Sequence, residues 1–586
     1  MPAICVLSRL QRIDCREANI DKIWLKYYDP GVPTTIDYPQ MTLHQLLDET
    51  AQRFPDHTAI IFPGALGDTY RLSYRELNHQ ANRLANALVD LGVKKGDRVA
   101  LLMPNCPQFV VSYYAILKAG GIAVATNPLY SPREMEFQFK DCGAETIILL
   151  SLFYRTVMGL KERTKLRSLV LTNIKECLPP LSRLLFTLFQ EQKEGHRVDI
   201  SGAVDVFSFQ NLIRHAAPTP PPPTIDPEDI AMFQYTGGTT GLSKAAVATH
   251  RNVLANAFQL RAWGNPVGLN EGEEAVLGVL PFFHAYGMVT VMHYSVVTGS
   301  AMILLPRFQV KQVLKVINRY KPASFPGVPT IYVAIINHPE VSKYNLRSIR
   351  ACISGAAPLP VEVQLEFEEL TGGKLVEGYG LSETLVATHC NPVVGMRKVG
   401  SIGVPLPDVE AKIMDMETGE KEMPIGEIGE LVIRAPQVMK SYWNRPEETE
   451  GALRQGWLYT GDLAKMDEDG FFSIVDRKKE LILAGGYSIY PSEIEEVLYE
   501  HPKVKEAVCY GVPDPYRGQT VKVAIVLKGG EIATPEEIIE FCRERLARYK
   551  VPKLVEFRKE LPKSLIGKAL RRVLVEEEEA KREQAS

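Results

Sequence analysis

The sequence predicts a layered α/β protein of at least two domains, and three features carry that prediction. At 586 residues the chain is longer than one hydrophobic core can serve. From Leu43 onward, amphipathic helical patterns alternate with short apolar strands, the rhythm of a layered α/β domain. Near Asp476-Arg477-Lys478-Lys479 the pattern changes and a shorter unit begins. The expected division is a large multi-subdomain N-terminal α/β domain over 1–476 and a small C-terminal α+β domain over 477–586.

The elements follow in order. Leu43, Leu46, Leu47 and Ala51 recur at a helical period between Leu43 and Phe54, and Ala59-Ile60-Ile61-Phe62 reads as a buried strand. Ser73 with Glu76 forms a capping box that opens a helix through Leu91. The strand Val99–Met103, a helix from Gln108 to Lys118 and the strand Ile122–Ala125 repeat the rhythm. Arg155 to Arg167 is basic and reads as irregular. After Pro179-Pro180, a helix carries Leu181, Leu184, Leu185, Leu188 and Phe189 on one face. A surface-lying membrane helix is one reading; a polar face that is only weakly cationic favours packing on its own domain.

Ala217 to Thr224, rich in proline, is a stiff extended linker that leads into a strand at Asp229–Gln234. Asn252 is expected to cap the helix after His250-Arg251. Ala275 through Pro306 contains no Asp, Glu, Lys or Arg, which is long enough for a membrane span. Prolines, glycines and histidines interrupt it, so a buried β/α core is the expectation. In the small unit, Pro491 opens a helix through Tyr499, and Ala507–Tyr510 and Val521–Val526 read as strands. Thr534, Pro535 and Glu537 form a capping box for a helix running to Ala547.

Composition narrows the function classes. A hydrophobic fraction of 45% and a charged fraction of 23% are those of an ordinary globular protein. The net charge of -3 disfavours nucleic acid as a partner. Nine dispersed cysteines without a CxxC pair read as reduced core thiols in a cytoplasmic protein, and the residues after Met1 make a poor secretory signal.

The chemistry concentrates in Thr236-Gly237-Gly238-Thr239-Thr240-Gly241-Leu242-Ser243-Lys244. Glycines allow close backbone approach, hydroxyls donate, and one lysine supplies a compact charge, the equipment of a polyphosphate-gripping loop. It is not a Walker loop, because Leu242-Ser243 precede the lysine and Ala245 follows it. That mismatch argues against a kinase or ATPase making ADP.

Four further segments stand in order behind this loop: Glu377-Gly378-Tyr379-Gly380-Leu381-Ser382-Glu383, Tyr459-Thr460-Gly461-Asp462, Asp476-Arg477-Lys478-Lys479 and Pro562-Lys563-Ser564-Leu565-Ile566-Gly567-Lys568. Together the five resemble the signature segments of the AMP-forming acyl-CoA synthetases, a superfamily that includes firefly luciferase and peptide-synthetase adenylation domains. The resemblance spans Leu43 to Arg572. It implies a mobile C-terminal domain and a two-step reaction using ATP, Mg²⁺ and coenzyme A. In that pattern Thr236, Gly237, Gly238, Thr239, Thr240, Gly241 and Lys244 grip phosphates. Gly355, Ala356, Glu377, Gly378, Tyr379, Gly380 and Ser382 frame the nucleotide, with Tyr379 stacking on adenine.

The same resemblance gives Asp462 and Arg477 the ribose and phosphate, Glu383 the magnesium ion, and His284 a wall of the carboxylate site. Lys568 would bridge the attacking carboxylate and the α-phosphate. Lys479 would be the hinge, and Gly485, Gly486 and Tyr487 would reach the coenzyme A channel. Two positions depart from the pattern: Ala245 replaces a usual glycine and Ser382 a commoner threonine. If position 245 needs a positive φ, alanine costs on the order of 1 kcal/mol.

The Gly237-Gly238 form resembles that of fatty-acyl ligases more than the commoner Ser-Gly form, and with an uncharged 275–306 segment suited to line an apolar tunnel the resemblance implies a long-chain fatty-acid–CoA ligase. An aryl or medium-chain acid ligase of the coumarate type shares nearly every motif. Nothing in the chain points to a luciferase-like monooxygenase, and an inactive binding protein is disfavoured by the presence of the candidate lysine, glutamate and aspartate. A monomer or homodimer with peripheral contact at a membrane's inner face completes the expectation.

Overall fold

Local capping signals set several elements. Ser73 Oγ accepts from the Glu76 amide at 3.2 Å and Glu76 Oε2 accepts from the Ser73 amide at 2.8 Å, opening the helix Tyr74–Asp90. The computed structural model describes residues 22–221, 224–236, 243–484, 487–515, 517–563 and 569–585. The helix His250–Gly264 is boxed in the same manner, with a correction to the sequence reading. Its cap is Thr249, whose Oγ1 accepts from the Asn252 amide at 3.2 Å, while Asn252 is the returning partner through Oδ1 at 3.0 Å. The strand Lys244–Thr249 runs up to Thr249, so the chain reaches its first helical residue before Asn252 can act as the cap.

Three other expectations change. Residues 155–161 are helical within Tyr154–Lys161, because Val157 and Leu160 turn inward and bury. The helix Pro535–Arg543 stops before Ala547 and keeps only half its box: Thr534 Oγ1 accepts from the Glu537 amide, but the Glu537 carboxylate is drawn to Lys503 at 2.7 Å. The third concerns the chain after Pro179, where Leu181, Leu184, Leu188 and Phe189 are exposed instead of packed on their own domain.

The central sheet has eight strands. Its spatial order is Ser441–Tyr442, Lys244–Thr249, Ile230–Thr236, Ile122–Ala125, Arg98–Leu102, Thr146–Leu150, Ser168–Thr172 and Val206–Ser208. Its parallel strands are continuous apolar runs, as a sheet covered on both faces requires. The helix Pro107–Lys118 is buried along its whole length, and its Lys118 ammonium is held by Asp48 at 2.6 Å. Proline-rich chain from Ala217 to Thr219 is pinned by carbonyl bonds from Asn82 and Asn86.

A second sheet, ordered Ala275–Gly278, Ala301–Leu304, Thr58–Pro63 and Thr69–Ser73, absorbs the uncharged 275–306 segment. The residues between its first two strands form short helical turns from Ala285 to Thr298, nearly all buried. Among the described residues no helix is long and apolar enough to cross a membrane. Bridges at Ser324 carry this sheet on to Ala351–Ser354, Lys374–Tyr379, His389–Cys390 and Val404–Pro405. A third layer contains Glu410–Met414, Gly429–Arg434, Trp457–Met466 and Phe472–Arg477.

Beyond Arg477 a separate core forms around Ile482, Ile489, Ile494, Leu498, Val523 and Ile538. Its five-stranded sheet is built on the long hairpin Val504–Asp514 and Gly518–Leu527. The strands expected at 507–510 and 521–526 fall inside it. The seven cysteines among the described residues are all free and buried.

Because the Thr249 hydroxyl closes the orphan Asn252 amide at a buried helix start, Thr249→Ala should lower unfolding free energy by about 1 kcal/mol, and Thr249→Ser should restore most of it. Denaturant midpoints of the three proteins check this; an unchanged midpoint in the alanine variant would remove the cap from the account.

Candidate functional site

Where the strands Ala351–Ser354 and Lys374–Tyr379 end, a cavity of about 190 Å³ opens. Its walls are mostly apolar: Leu260, Leu280, His284, Tyr286, Ile353, Gly355, Ala356, Gly378, Tyr379, Gly380 and Leu385 contribute. The Tyr286 hydroxyl donates to the Ile353 and Gly327 carbonyls at 2.7 and 3.0 Å, which sets its ring across Gly355. A Cβ at Gly355 would sit 3.2 Å from that ring. Gly380 is tighter still, since its Cβ would fall 1.2 Å from the Val386 carbonyl oxygen. Ala356 stands at φ +69° and Leu385 at φ +64°, left-handed conformations that cost a side-chain-bearing residue about 1–2 kcal/mol each. Both flank the cavity.

Charged groups gather on the neighbouring strands. Asp462, in the strand Trp457–Met466, accepts from the Tyr379 hydroxyl at 2.6 Å and pairs with Arg477 Nε at 3.0 Å. Glu383 follows the cavity loop in the turn Ser382–Thr384, where Oε1 accepts from the Tyr442 hydroxyl at 2.7 Å. Lys244 lies 3.8 Å from Glu448 and 5.4 Å from the centre of the Tyr442 ring. Burial, then the charge of Arg477, lowers the pKa of Lys479, while Asp462 and Glu383 oppose that shift. Lys479 is therefore electrostatically coupled to this group.

Burial shifts the titratable groups at and beside the cavity toward their neutral forms. The His284 imidazole is pushed down to about 4 by desolvation, and its ring contacts Phe283. His389 is pushed down to about 3, and its Nε2 has no hydrogen-bond partner. Glu377 is raised to about 7 by burial, against the weaker opposing effect of the Leu359 amide donating to Oε2 at 3.2 Å.

Of the residues expected from sequence, the structure brings His284, Gly355, Ala356, Gly378, Tyr379, Gly380 and Ser382 to one cavity. Glu377 is in the strand that ends there. Thr236 and Lys244 face each other at the end of one hairpin, and the Ser243 hydroxyl donates to the Thr236 carbonyl. Ala245 pairs with Tyr235 as a buried strand residue and is not among the positive-φ positions, so its departure from glycine carries no strain. Gly237, Gly238, Thr239, Thr240, Gly241, Gly485, Gly486 and Lys568 lie outside the described residues. Tyr487 is described in backbone only, paired with Ala484.

The chain on either side of 564–568 is fixed: Lys563 bridges Ala569, and the Leu570 amide donates to the Pro562 carbonyl at 2.8 Å. Sequence reasoning missed Tyr442, Tyr286 and His389. Tyr442 is 59 residues from its partner Glu383, and no local pattern reports such a contact.

A magnesium site can be tested on its donors. Among the described residues no group of three or more His, Cys, Asp and Glu could hold an ion. Glu383 leaves Oε2 without a hydrogen-bond donor from those residues, which suits an ion completed by phosphate oxygens and water.

Comparison with known proteins agrees with this geometry. Residues 47–443 match the family described as AMP-binding enzyme, and residues 493–568 match the AMP-binding enzyme C-terminal domain. The chain is 49% identical over 559 residues to a long-chain-fatty-acid–CoA ligase of Bacillus subtilis strain 168, covering 95% of this chain and 98% of that one. It is 38% identical to the corresponding ligase of Escherichia coli O6:H1, covering 96% and 99%. Among solved structures, ATP-bound MatB from Rhodopseudomonas palustris superposes with a TM-score of 0.79 at 28% identity, covering 92% of this chain and 99% of that chain.

The buried Glu377 carboxyl gives a pH signature. The unfolded chain releases this proton near 4.5 and the folded chain near 7, so between those values the folded state binds more protons and stability falls as pH rises. Glu377→Gln removes this dependence. Its thermal midpoint should gain on the parent's from about pH 4.5 to about pH 7 and run parallel above. A difference that is flat with pH would mean that Glu377 is not the group.

Proposed function

The chain belongs to the AMP-binding enzyme family, and from that membership we propose that it activates a long-chain fatty acid to its acyl-CoA through an acyl-adenylate, releasing AMP and pyrophosphate. The observation that carries the reading is agreement with long-chain-fatty-acid–CoA ligases over nearly the full length of both chains. The site chemistry supports it, because an apolar cavity suits an alkyl chain and the charged rim suits a polyphosphate.

In the first step the carboxylate oxygen attacks the α-phosphorus of ATP and pyrophosphate leaves. Residues 236–241 with Lys244 grip the phosphates, and Tyr379 stacks adenine against the Gly355-Ala356 backbone. Asp462 accepts from the ribose hydroxyls while keeping Tyr379 and Arg477, which a carboxylate's several lone pairs permit. Glu383 would hold Mg²⁺, whose charge neutralises the phosphates. His284 walls the carboxylate site as a neutral ring. Lys568 bridges the attacking oxygen and the developing charge, offsetting repulsion between two anions.

In the second step the thiol of coenzyme A attacks the acyl carbon, loses its proton and expels AMP. We assign 477–586 to the small domain that swings about Lys479 between the steps, withdrawing Lys568 and bringing Gly485, Gly486 and Tyr487 toward the thiol channel. The enzyme works in the cytoplasm as a monomer or homodimer and meets the membrane peripherally.

Incubation with ATP, coenzyme A and a panel of acids tests the substrate class: palmitate should give a thioester with AMP as product. An aromatic acid turned over in its place, or ADP as product, would overturn the reading. Lys568→Ala should cut acyl-adenylate formation by roughly 10²- to 10³-fold while ATP binding is retained, the scale expected for losing one transition-state electrostatic contact. Adenylation at the parent rate would take the lysine out of the mechanism.

A further inference from the structure

After Pro179 the chain is α-helical over Pro180–Leu185 and widens into a π-helical turn over Phe186–Gln190. Its inner side is fixed. The Ser182 amide donates to Asp68 Oδ2 at 3.2 Å, its hydroxyl donates to Oδ1, and Phe186 is buried against His196 at 5.5 Å between ring centres. Its outer side carries Leu181, Leu184, Leu188 and Phe189, each 54% to 70% exposed. Leu66, in the hairpin turn that also holds Asp68, is 52% exposed.

Cations accompany this ridge, several of them on the same stretch of chain. Arg183 donates to the carbonyls of Lys175 and Glu176 at 3.0 and 3.1 Å and has no carboxylate partner among the described residues. The exposed side chains of Arg155, Lys193, Arg197 and Arg307 are also in no ion pair among those residues. Arg307 is near enough to act on His196, which shares a hydrogen bond of 2.9 Å with Ser151 ahead of Arg155. Glu194 is an exposed acid on the same stretch, whereas Glu191 is buried and paired with Lys175.

We propose that this ridge, together with Leu66, docks on an anionic phospholipid bilayer by sinking its leucines and Phe189 into the headgroup zone. The inference rests on the long-chain reading above, since such acids partition into bilayers and an enzyme held there meets them where they are concentrated. The apolar area on offer is roughly 400–500 Å², short of the ~800 Å² per partner that a stable protein interface buries. Shallow insertion has no such minimum: leucine and phenylalanine on one side with lysine and arginine around them is the composition of an interfacial helix.

The full-length protein and the triple variant Leu184→Ser, Leu188→Ser, Phe189→Ser would be sedimented with vesicles of phosphatidylcholine and phosphatidylglycerol. All three side chains are exposed, so folding is not at stake. The bound fraction at fixed lipid should fall about tenfold in the variant, as expected when a shallow apolar anchor is removed. Parent binding should weaken on phosphatidylcholine alone, and turnover of a water-soluble medium-chain acid should be unchanged by the substitutions. Equal vesicle binding by the two proteins, or none by the parent, overturns the proposal. So does a parent dimer that the variant loses while vesicles bind neither protein, which would give the ridge to a second copy of the chain. A parent that binds vesicles through the ridge yet ligates no fatty acid would sink the substrate reading and leave the docking surface standing.

Discussion

A carboxylate that is almost wholly buried holds the frame of the site together. Asp462 is 3% exposed, and its charge is tolerated only because Arg477 pairs with one oxygen and the Tyr379 hydroxyl donates to the other. Each partner stands at the end of a different strand. Tyr379 closes Lys374–Tyr379, Arg477 closes Phe472–Arg477, and Asp462 lies opposite Arg477 in the register of the sheet. One group therefore ties the cavity loop to the last strand before the small core. Removing either partner would leave a charge in low dielectric, at several kcal/mol, so the two strand ends and the middle of Trp457–Met466 are set as a unit.

The cavity and its rim divide the electrostatic work. Inside, burial leaves the His284 and His389 rings neutral, so the lining presents no fixed charge to an alkyl chain. At the rim stand the ionic side chains Lys244, Glu383, Asp462, Arg477 and Lys479, among which Arg477 pairs with Asp462 and Lys244 reaches Glu448. In the proposed reaction this division matters because both reactants are anions. Cations beside a low-dielectric wall act more strongly than the same cations in water, without reorganising when the bond forms.

How far the sequence discloses this architecture depends on whether the deciding contact is local. Ser73 and Glu76 are three residues apart, and their box can be read by eye. Thr249 and Asn252 are equally close, yet either side chain could cap; the choice was made by a strand that pairs with Ile230–Thr236 and runs up to Thr249. Glu537 lost its return bond to Lys503, which approaches from the preceding hairpin, and no pattern around Thr534 reports that competition. The five motif segments were legible because glycines, hydroxyls and charges cluster in each one. The meeting of Tyr379 with Asp462 and of Tyr442 with Glu383 was not, since those bonds span 83 and 59 residues. The ridge after Pro179 shows the same limit, because periodicity identified an apolar face but not whether another element covers it.

The motion in the proposed cycle also has an electrostatic threshold built from named groups. Arg571, three residues beyond Lys568, is paired with Glu480 beside the hinge, with Glu495 of the small core at 2.8 Å, and more loosely with Asp476 at 3.9 Å. The Ser492 amide donates to Asp476 Oδ2 at 3.0 Å, so the same aspartate also clasps the first helix of the small core. Lys563, on the other side of 564–568 in the sequence, is held within the small core by Glu506 at 2.7 Å. Turning that core about Lys479 carries Glu480 and Glu495 along with Arg571 but draws Arg571 and the Ser492 amide away from Asp476, and a carboxylate only 7% exposed that loses those partners is costly. The swing is then a passage between paired arrangements, because an intermediate pose strands a buried charge, and two discrete positions follow from that cost.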